Sequence, residues 1–473
     1  MLSSRARASS LAFAFIVGLA PGWVAAQTAP DTFRSDVAGA IQRALDVSPE
    51  VDVVRAERDY AAARRDLALA SRFATDFNLQ TAHAVAPGLK NLPEGVPPEE
   101  YYLYPEVRND WEDVRPLNRF EADLIQPLYT WGQLSGSIRA ARKGVDVEEA
   151  SIAEKQLEVA LRTGELYYGL LLARQLSRLT DRAGDVVDQA QREIERLLEA
   201  GAEDVDDADL FQVRITEQEF RRRVVEVEQA MATAQSAVRR QLFLPDGAVI
   251  VPEDLVLEPI PFVLDSLERY QQLALDHRPE IQQARAGIEA REALLRVARS
   301  DYFPKLFLAV QSHLTLSHGR FRQPNPYVND PYRGRALRAG LGLRLPLNFA
   351  QTRAKVEQSA AELNEVHHQL RAARQLILFE VEEAYRNVVT ARAAVESLDE
   401  ALTISQEWLR TEQINFDLDL GDTENLVRAV QTSLELEAGY YEQVRRYNVA
   451  VLRLLDAAGV LVDAARRGSL ASL

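Results

Sequence analysis
The chain has 473 residues with 55 basic and 71 acidic side chains, a formal net charge of −16 and no cysteine. The acidic balance argues against a nucleic-acid partner. The missing thiols exclude disulfides, thiolate metal sites and a lipid carried on an N-terminal cysteine.

In chain order, the first feature is an export signal. Arg5 and Arg7 precede the apolar run LAFAFIVGLA (11–20), and VAA ends at Ala26 before Gln27. This predicts a secretory signal peptide over residues 1–26, too short to span a membrane. Its removal takes two arginines and leaves a net charge near −18. No later stretch approaches the apolar length of a spanning helix, so an exported chain that enters a membrane does so as β-structure.

The rest is a duplicated design. ALDVSPEV (44–51) returns as ALDHRPEI (274–281), Pro127 returns as Pro346, and LEAGAEDVDDADL (198–210) corresponds to LDLGDTENL (418–426). The order and near-constant spacing predict two repeats, 27–243 and 265–462, joined by a linker over 244–264 with four prolines and followed by a tail, 463–473. The first repeat reads as a helix (33–72), strands 73–86 and 118–127, a long helix 131–200 and a shorter helix 207–243. The second reads as a helix (265–302), strands 304–317 and 336–347, a long helix 349–416 and a shorter helix 424–460.

The long helices carry a seven-residue apolar spacing: Ile138, Val145, Ile152, Val159 and Leu166 in one, and Val356, Leu363, Leu370, Ile377, Ala384, Ala391 and Leu398 in the other. Such spacing predicts left-handed supercoiling against neighbours. At about 1.5 Å per residue each helix is roughly 100 Å long, matched by two shorter helices end to end. The lengths pair 207–243 with 265–302, and 424–460 with 33–72.

The strands alternate. Leu337, Ala339, Leu341 and Leu343 interleave with Arg338, Gly340, Gly342 and Arg344; Leu306, Leu308, Val310, Leu314 and Leu316 interleave with Gln311, His313 and Thr315. Two readings fit this pattern, a membrane barrel with a wet interior and an antiparallel sheet with one face on a soluble core. Four strands cannot close a useful barrel, so the membrane reading requires several chains, eight strands from two or twelve from three.

On QPLYTWGQLSGSIRAA (126–141), LPLNFAQTRAKVEQSA (345–360), the two PE helices, the glycine turns and the ending YNVAVLRLLDAAG (447–459), the chain resembles the TolC-type outer-membrane factor family. The resemblance covers about 31–460. It implies a mostly α fold with a transmembrane β part: a homotrimer sharing a twelve-stranded β-barrel in the outer membrane, above a long α-helical coiled-coil barrel in the periplasm. It also implies a passive exit duct for efflux or type I secretion, docking a periplasmic adaptor and an inner-membrane pump. On this resemblance Pro127 and Pro346 lie where strand turns into helix, proline ending the strand pairing and suiting a helix start. Tyr129 and Trp131 fall in the aromatic belt, and the second junction keeps Phe349.

The periplasmic tips follow from the same resemblance. Gly201 and Gly421 suit the left-handed turns that end the long helices. Glu203, Asp204, Asp206, Asp207, Asp209, Asp419, Asp422 and Glu424 either cap the following helices or, repeated threefold, form an acidic aperture selective for cations. Within the family the second tip helix often carries an Asp-Val-Leu run. Here the stretch is NLVRAV with Val427 and Arg428, so those gating acids do not carry over. At the other end, the acidic loop 87–117 faces a loop with Arg320, Arg322, Arg333 and Arg335. The two are expected to pair by charge and partly cover the mouth.

Enzyme motifs are missing: no phosphate loop, nucleophile elbow or His-Glu-x-x-His is present. His313, His318, His367 and His368 read as polar surface residues, and no cofactor or metal is expected. A soluble periplasmic coiled-coil scaffold or adaptor without a pore remains the alternative, and a dimeric porin-like protein would leave the long helices unexplained. The substrate is not readable, because ducts for drugs, metal ions, siderophores and proteins share this architecture.

Overall fold
The computed structural model describes residues 32–73, 76–200, 207–320, 327, 330–418 and 423–471. In chain order the elements are β1 (Thr32–Ser35), α1 (Val37–Val47), α2 (Pro49–Ala70), β2 (Asp76–Lys90), a 3₁₀ turn (Pro98–Leu103), β3 (Arg108–Tyr129), α3 (Gln133–Ala200) and α4 (Asp207–Gln241). The second half has β4 (Val249–Pro252), α5 (Leu267–His277), α6 (Pro279–Ser300), β5 (Lys305–Ser317), β6 (Gly334–Arg344), α7 (Phe349–Asp417), α8 (Thr423–Ala457) and α9 (Leu461–Arg466).

Each helix expected over 33–72 and 265–302 is two helices, broken inside the repeated motif itself. Pro49 and Pro279 stand at the first helical position of α2 and α6. The residues before them, Ser48 and Arg278, are held extended at ψ 115 and 124. A proline forces its predecessor out of the helical region while suiting a helix start itself, so α1 and α5 must end there. Asp36 begins α1 by accepting a 2.8 Å hydrogen bond from Gly39 N.

The column pairing differs from the one predicted by length. The C-terminal end of α4 meets the N-terminal start of α2 beside the middle of α3: Gln241 donates to Thr163 Oγ1 at 3.0 Å, and Arg162 reaches Glu50 at 2.7 Å. Across α3, the end of α8 meets the start of α6. The columns are therefore α4–α2 and α8–α6, not α4 with α6. α3 packs against both columns, and α7 takes α8 and α6. Helices adjacent in sequence are separated because residues 244–266 are long enough to carry the chain across the ~10 Å body of α3.

That crossing segment is more than a linker. β4 pairs in parallel with β1, Thr32 opposite Val249. Buried Asn448 donates to Glu258 O at 2.9 Å and accepts from Ile260 N at 2.9 Å, while Arg392 donates to Phe262 O at 2.6 Å. The largest fully buried side chains gather in this equatorial belt, among them Ile41, Tyr167, Leu170, Leu242, Tyr270, Ile281 and Leu452. The apolar stripe of α3 faces it, with Val159 fully buried and Ile152 and Leu166 packed against the core.

Tyr167 ties three segments together, donating to Asp254 Oδ2 at 2.9 Å and lying 3.0 Å from Ser35 O. Burial and Asp254 push its hydroxyl pKa well above the ordinary phenol. Tyr167→Phe is expected to cost about 1–3 kcal/mol, because Asp254 loses a partner in a part-buried site. Tyr168→Phe, whose ring is buried alongside, is expected to cost less. Chemical denaturation of the two variants in detergent compares them, and equal midpoints would refute the assigned role.

Candidate pore-forming sheet and its junctions
The four longer strands form one antiparallel sheet in the order β2-β3-β5-β6. Register sorts the side chains onto two faces. One row runs Phe77, Leu124, Val310, Ala339, and the next runs Leu79, Ala122, Ser312, Leu337. The opposite face carries Asn78, Asp123, Gln311 and Arg338 in one row and Gln80, Glu121, His313 and Ala336 in the next. The apolar face is bare: Leu79, Leu337, Leu341 and Leu343 are each about 70% exposed. An apolar face of this kind, backed by a charged one, suits lipid on one side and water on the other. Phe307 breaks the pattern, lying on the polar face across Gly342 with Arg344 5.3 Å from its ring centre.

At the strand-to-helix junctions the prolines act differently from the expectation. Pro127 does not end pairing: it stands opposite Phe307, the register shifts, and Tyr129 pairs again with Leu306. A residue without an N–H is accommodated by an irregularity in the ladder. Pro346 lies in the short connection between β6 and α7. Neither proline starts a helix, since α3 begins at Gln133 and α7 at Phe349. The first junction turns instead through Trp131 and Gly132, both with positive φ (51° and 91°). Trp131 packs edge-on against Tyr129 (5.0 Å), stacks on Phe303 (4.8 Å) and donates to Pro304 O at 2.8 Å. Tyr129, Trp131 and Phe349 are all exposed.

At the far end of the sheet, Arg320 is the hub of the loops. It is buried, donates to Pro87 O at 3.1 Å and to Asn109 Oδ1, pairs with Asp330 at 3.2 Å, and lies over Tyr332 at 4.4 Å. Arg333 donates to Arg320 O. The loops do meet, but at Arg320 they do so through neutral oxygens; its ion pair is with Asp330 of its own loop. Arg335 is exposed at the start of β6, and Arg322 lies outside the described residues.

Residues 271–456 match the outer membrane efflux protein family. The cobalt–zinc–cadmium resistance protein CzcC of Cupriavidus metallidurans is 24% identical over 52% of this chain, which spans 57% of that relative's length. Protein CyaE of Bordetella pertussis is 26% identical over 74% of this chain and 72% of its own. In fold, the chain superposes on the Campylobacter jejuni CmeC outer membrane channel with a TM-score of 0.69 at 16% identity, covering 90% of this chain and 86% of that one.

Within that matched domain, Glu424 lies in the first turn of α8 and pairs with Arg428 at 2.6 Å. In the first half Asp207 begins α4, with Asp209 in its first turn. Gly201, Glu203, Asp204, Asp206, Asp419, Gly421 and Asp422 lie outside the described residues, as does the segment 1–26. Among the described residues no helix is long and apolar enough to cross a membrane, and no cluster of metal-ligating side chains occurs.

Sequence reasoning missed one charged centre in this domain, at the α8–α6 join. Arg278 bonds Glu280 at 2.8 Å and Glu380 of α7 at 2.9 Å, with Asp456 of α8 beside them. Burial pushes the Asp456 carboxyl up to about 6; Arg278 opposes the rise, and Glu280, Glu380 and Glu165 add to it. Its signal was the Arg278-Pro279-Glu280 triplet, whose partners lie in other elements. Because the folded pKa exceeds the unfolded value of about 3.9, the folded state holds this proton where the unfolded chain releases it. The group's contribution to stability therefore falls as pH rises from about 4 to about 6. Asp456→Asn is expected to gain about 3 kcal/mol at pH 7.5 and almost nothing at pH 4. Unfolding at both pH values checks this, and an equal gain at both would refute it.

Proposed function
We propose that three copies of this chain form a passive exit duct, a twelve-stranded barrel in the outer membrane continued by a helical tunnel in the periplasm. The observation that carries this is an unsatisfied seam. Within the chain, α3 takes α6: Val297 lies so near Gly136 that a Cβ there would sit 2.7 Å from it, and Phe303 stacks on Trp131. The repeat offset of 230 residues gives Leu67 and Phe73 as the duplicates of Val297 and Phe303. Both stand bare, 72% and 80% exposed.

On this reading, α7 of one copy takes α2 of the next as α3 takes α6. The sheet agrees with it: strands alternate in direction, so β6 of one copy meets β2 of the next antiparallel, and closure removes both open edges. Eight strands would enclose a barrel filled by side chains, whereas twelve enclose a wider interior. The long helices then reach roughly 100 Å from the membrane, where their tips dock a periplasmic adaptor and an inner-membrane pump. The duct performs no chemistry, and its energy comes from that pump.

The native mass of protein extracted in mild detergent from separated outer membranes tests the reading, followed by conductance in planar bilayers. A trimer that conducts supports the duct. A soluble periplasmic monomer or dimer would replace it with a poreless scaffold.

A further inference from the structure
The junction between the start of α3 and the end of α6 encloses a cleft of about 400 Å³. One wall is the Trp131–Phe303 stack; three arginines, Arg139, Arg296 and Arg299, line the rest. Arg139 is engaged by Glu289 at 3.4 Å. Arg296 and Arg299 are exposed and carry no ion pair among the described residues. Asp301, just past the end of α6, is taken by Lys305 at 2.7 Å, and Glu292, one turn before Arg296, makes no ion pair with either arginine among the described residues. The start of α3 brings the positive end of a 68-residue helix against the C-terminal end of α6, whose last turn holds Arg299. Two free guanidinium forks and an aromatic wall describe a phosphate site with an apolar flank.

Its place in the fold says which phosphate. Trp131 packs on Tyr129, and Tyr129 stands opposite Leu306, the last residue of the apolar face before the helices begin. The cleft therefore opens at the border of the bare apolar surface, the depth of lipid headgroups. We propose that it binds the phosphodiester headgroup of an anionic phospholipid of the inner leaflet, an inference that rests on the membrane reading above. Arginines at this depth attract anionic lipid by charge, and the aromatic wall packs against the glycerol and upper chains.

The duplication sharpens the claim. At the 230-residue offset, Arg296 and Arg299 correspond to Asp66 and Leu69. The other junction thus carries an acid where this one carries a base, giving one site per chain and three per trimer.

The test is native mass spectrometry of the full-length protein in detergent, titrated with dioleoyl phosphatidylglycerol or dioleoyl phosphatidylcholine. The trimer is expected to retain up to three phosphatidylglycerol molecules and no phosphatidylcholine. Removing both charges in Arg296→Gln/Arg299→Gln is expected to weaken retention roughly thirtyfold, and Arg296→Lys/Arg299→Lys to preserve most of it. Equal retention by the glutamine variant, with its trimer intact, would overturn the site. Displacement of the lipid by millimolar inorganic phosphate would reassign it to free phosphate. Absence of a trimer before any lipid is added would instead sink the duct reading, and the lipid site with it.

Discussion

Leu67→Arg is expected to turn the trimer into monomers while leaving each chain folded. Leu67 stands bare on α2, in line with Val53 and Tyr60 at seven-residue intervals, all more than half exposed. In one chain an arginine there simply points into water. In the trimer it would lie in the seam with α7 of the next copy, where Leu67 contributes about 2 kcal/mol of burial. An unpaired buried charge costs several kcal/mol, and three seams each bear it. The contrast is Val297→Arg, which strikes the duplicate position inside the chain, against Gly136, and is expected to damage the fold itself. Native mass and far-ultraviolet circular dichroism separate the two. A Leu67→Arg trimer of normal mass would refute the seam.

Gly459→Ala is expected to cost about 2–4 kcal/mol, far more than an exposed glycine of the same backbone conformation. Gly459 ends α8 at φ +75°, donating to Asp456 O at 2.8 Å, with Val460 N reaching Leu455 O at 2.9 Å. Any side chain pays for the left-handed backbone, about 1–2 kcal/mol. It also meets a neighbour: an added Cβ would come within 3.0 Å of Arg278 N and His277 C. These are backbone atoms at the α5–α6 break and cannot swing aside, so the α8–α6 column must open. Gly468 is the control, at φ +68° with nothing within 4 Å of an added Cβ. Gly468→Ala should therefore cost only the conformational part. Denaturant midpoints of the two variants decide the matter, and equal losses would show that the column makes no demand at Gly459.

Much of the fold was legible in the chain because its signals are local. Alternation over ten residues marks a strand wherever it stands, and the two faces of the sheet follow the polarity of Leu306 against Gln311 or Leu337 against Arg338. The PE motif was seen as a repeat marker but not as a helix break, although Pro49 and Pro279 carried that information in their restriction of the preceding residue. Pro127 misled in the opposite sense. A proline in a strand flanked by two neighbours reads as a stop, yet the ladder absorbs it with a register shift before Tyr129.

The sequence by itself determined the duplication, the two-faced strands and the long apolar-striped helices, since periodicity and repeat spacing do not depend on what packs where. Only the tertiary structure decided which shorter helices stack, that Asp456 meets Arg278 and Glu380, that Arg320 reaches the other loop through neutral oxygens while its ion pair stays with Asp330 of its own loop, and that Arg296 and Arg299 share a cleft with Trp131. These contacts join residues up to 233 apart in the chain, and the stacking of the helices follows from where the segment 244–266 carries the chain across α3. No local pattern encodes that crossing: a chain of that length reaches either side, and burial of the equatorial core selects one.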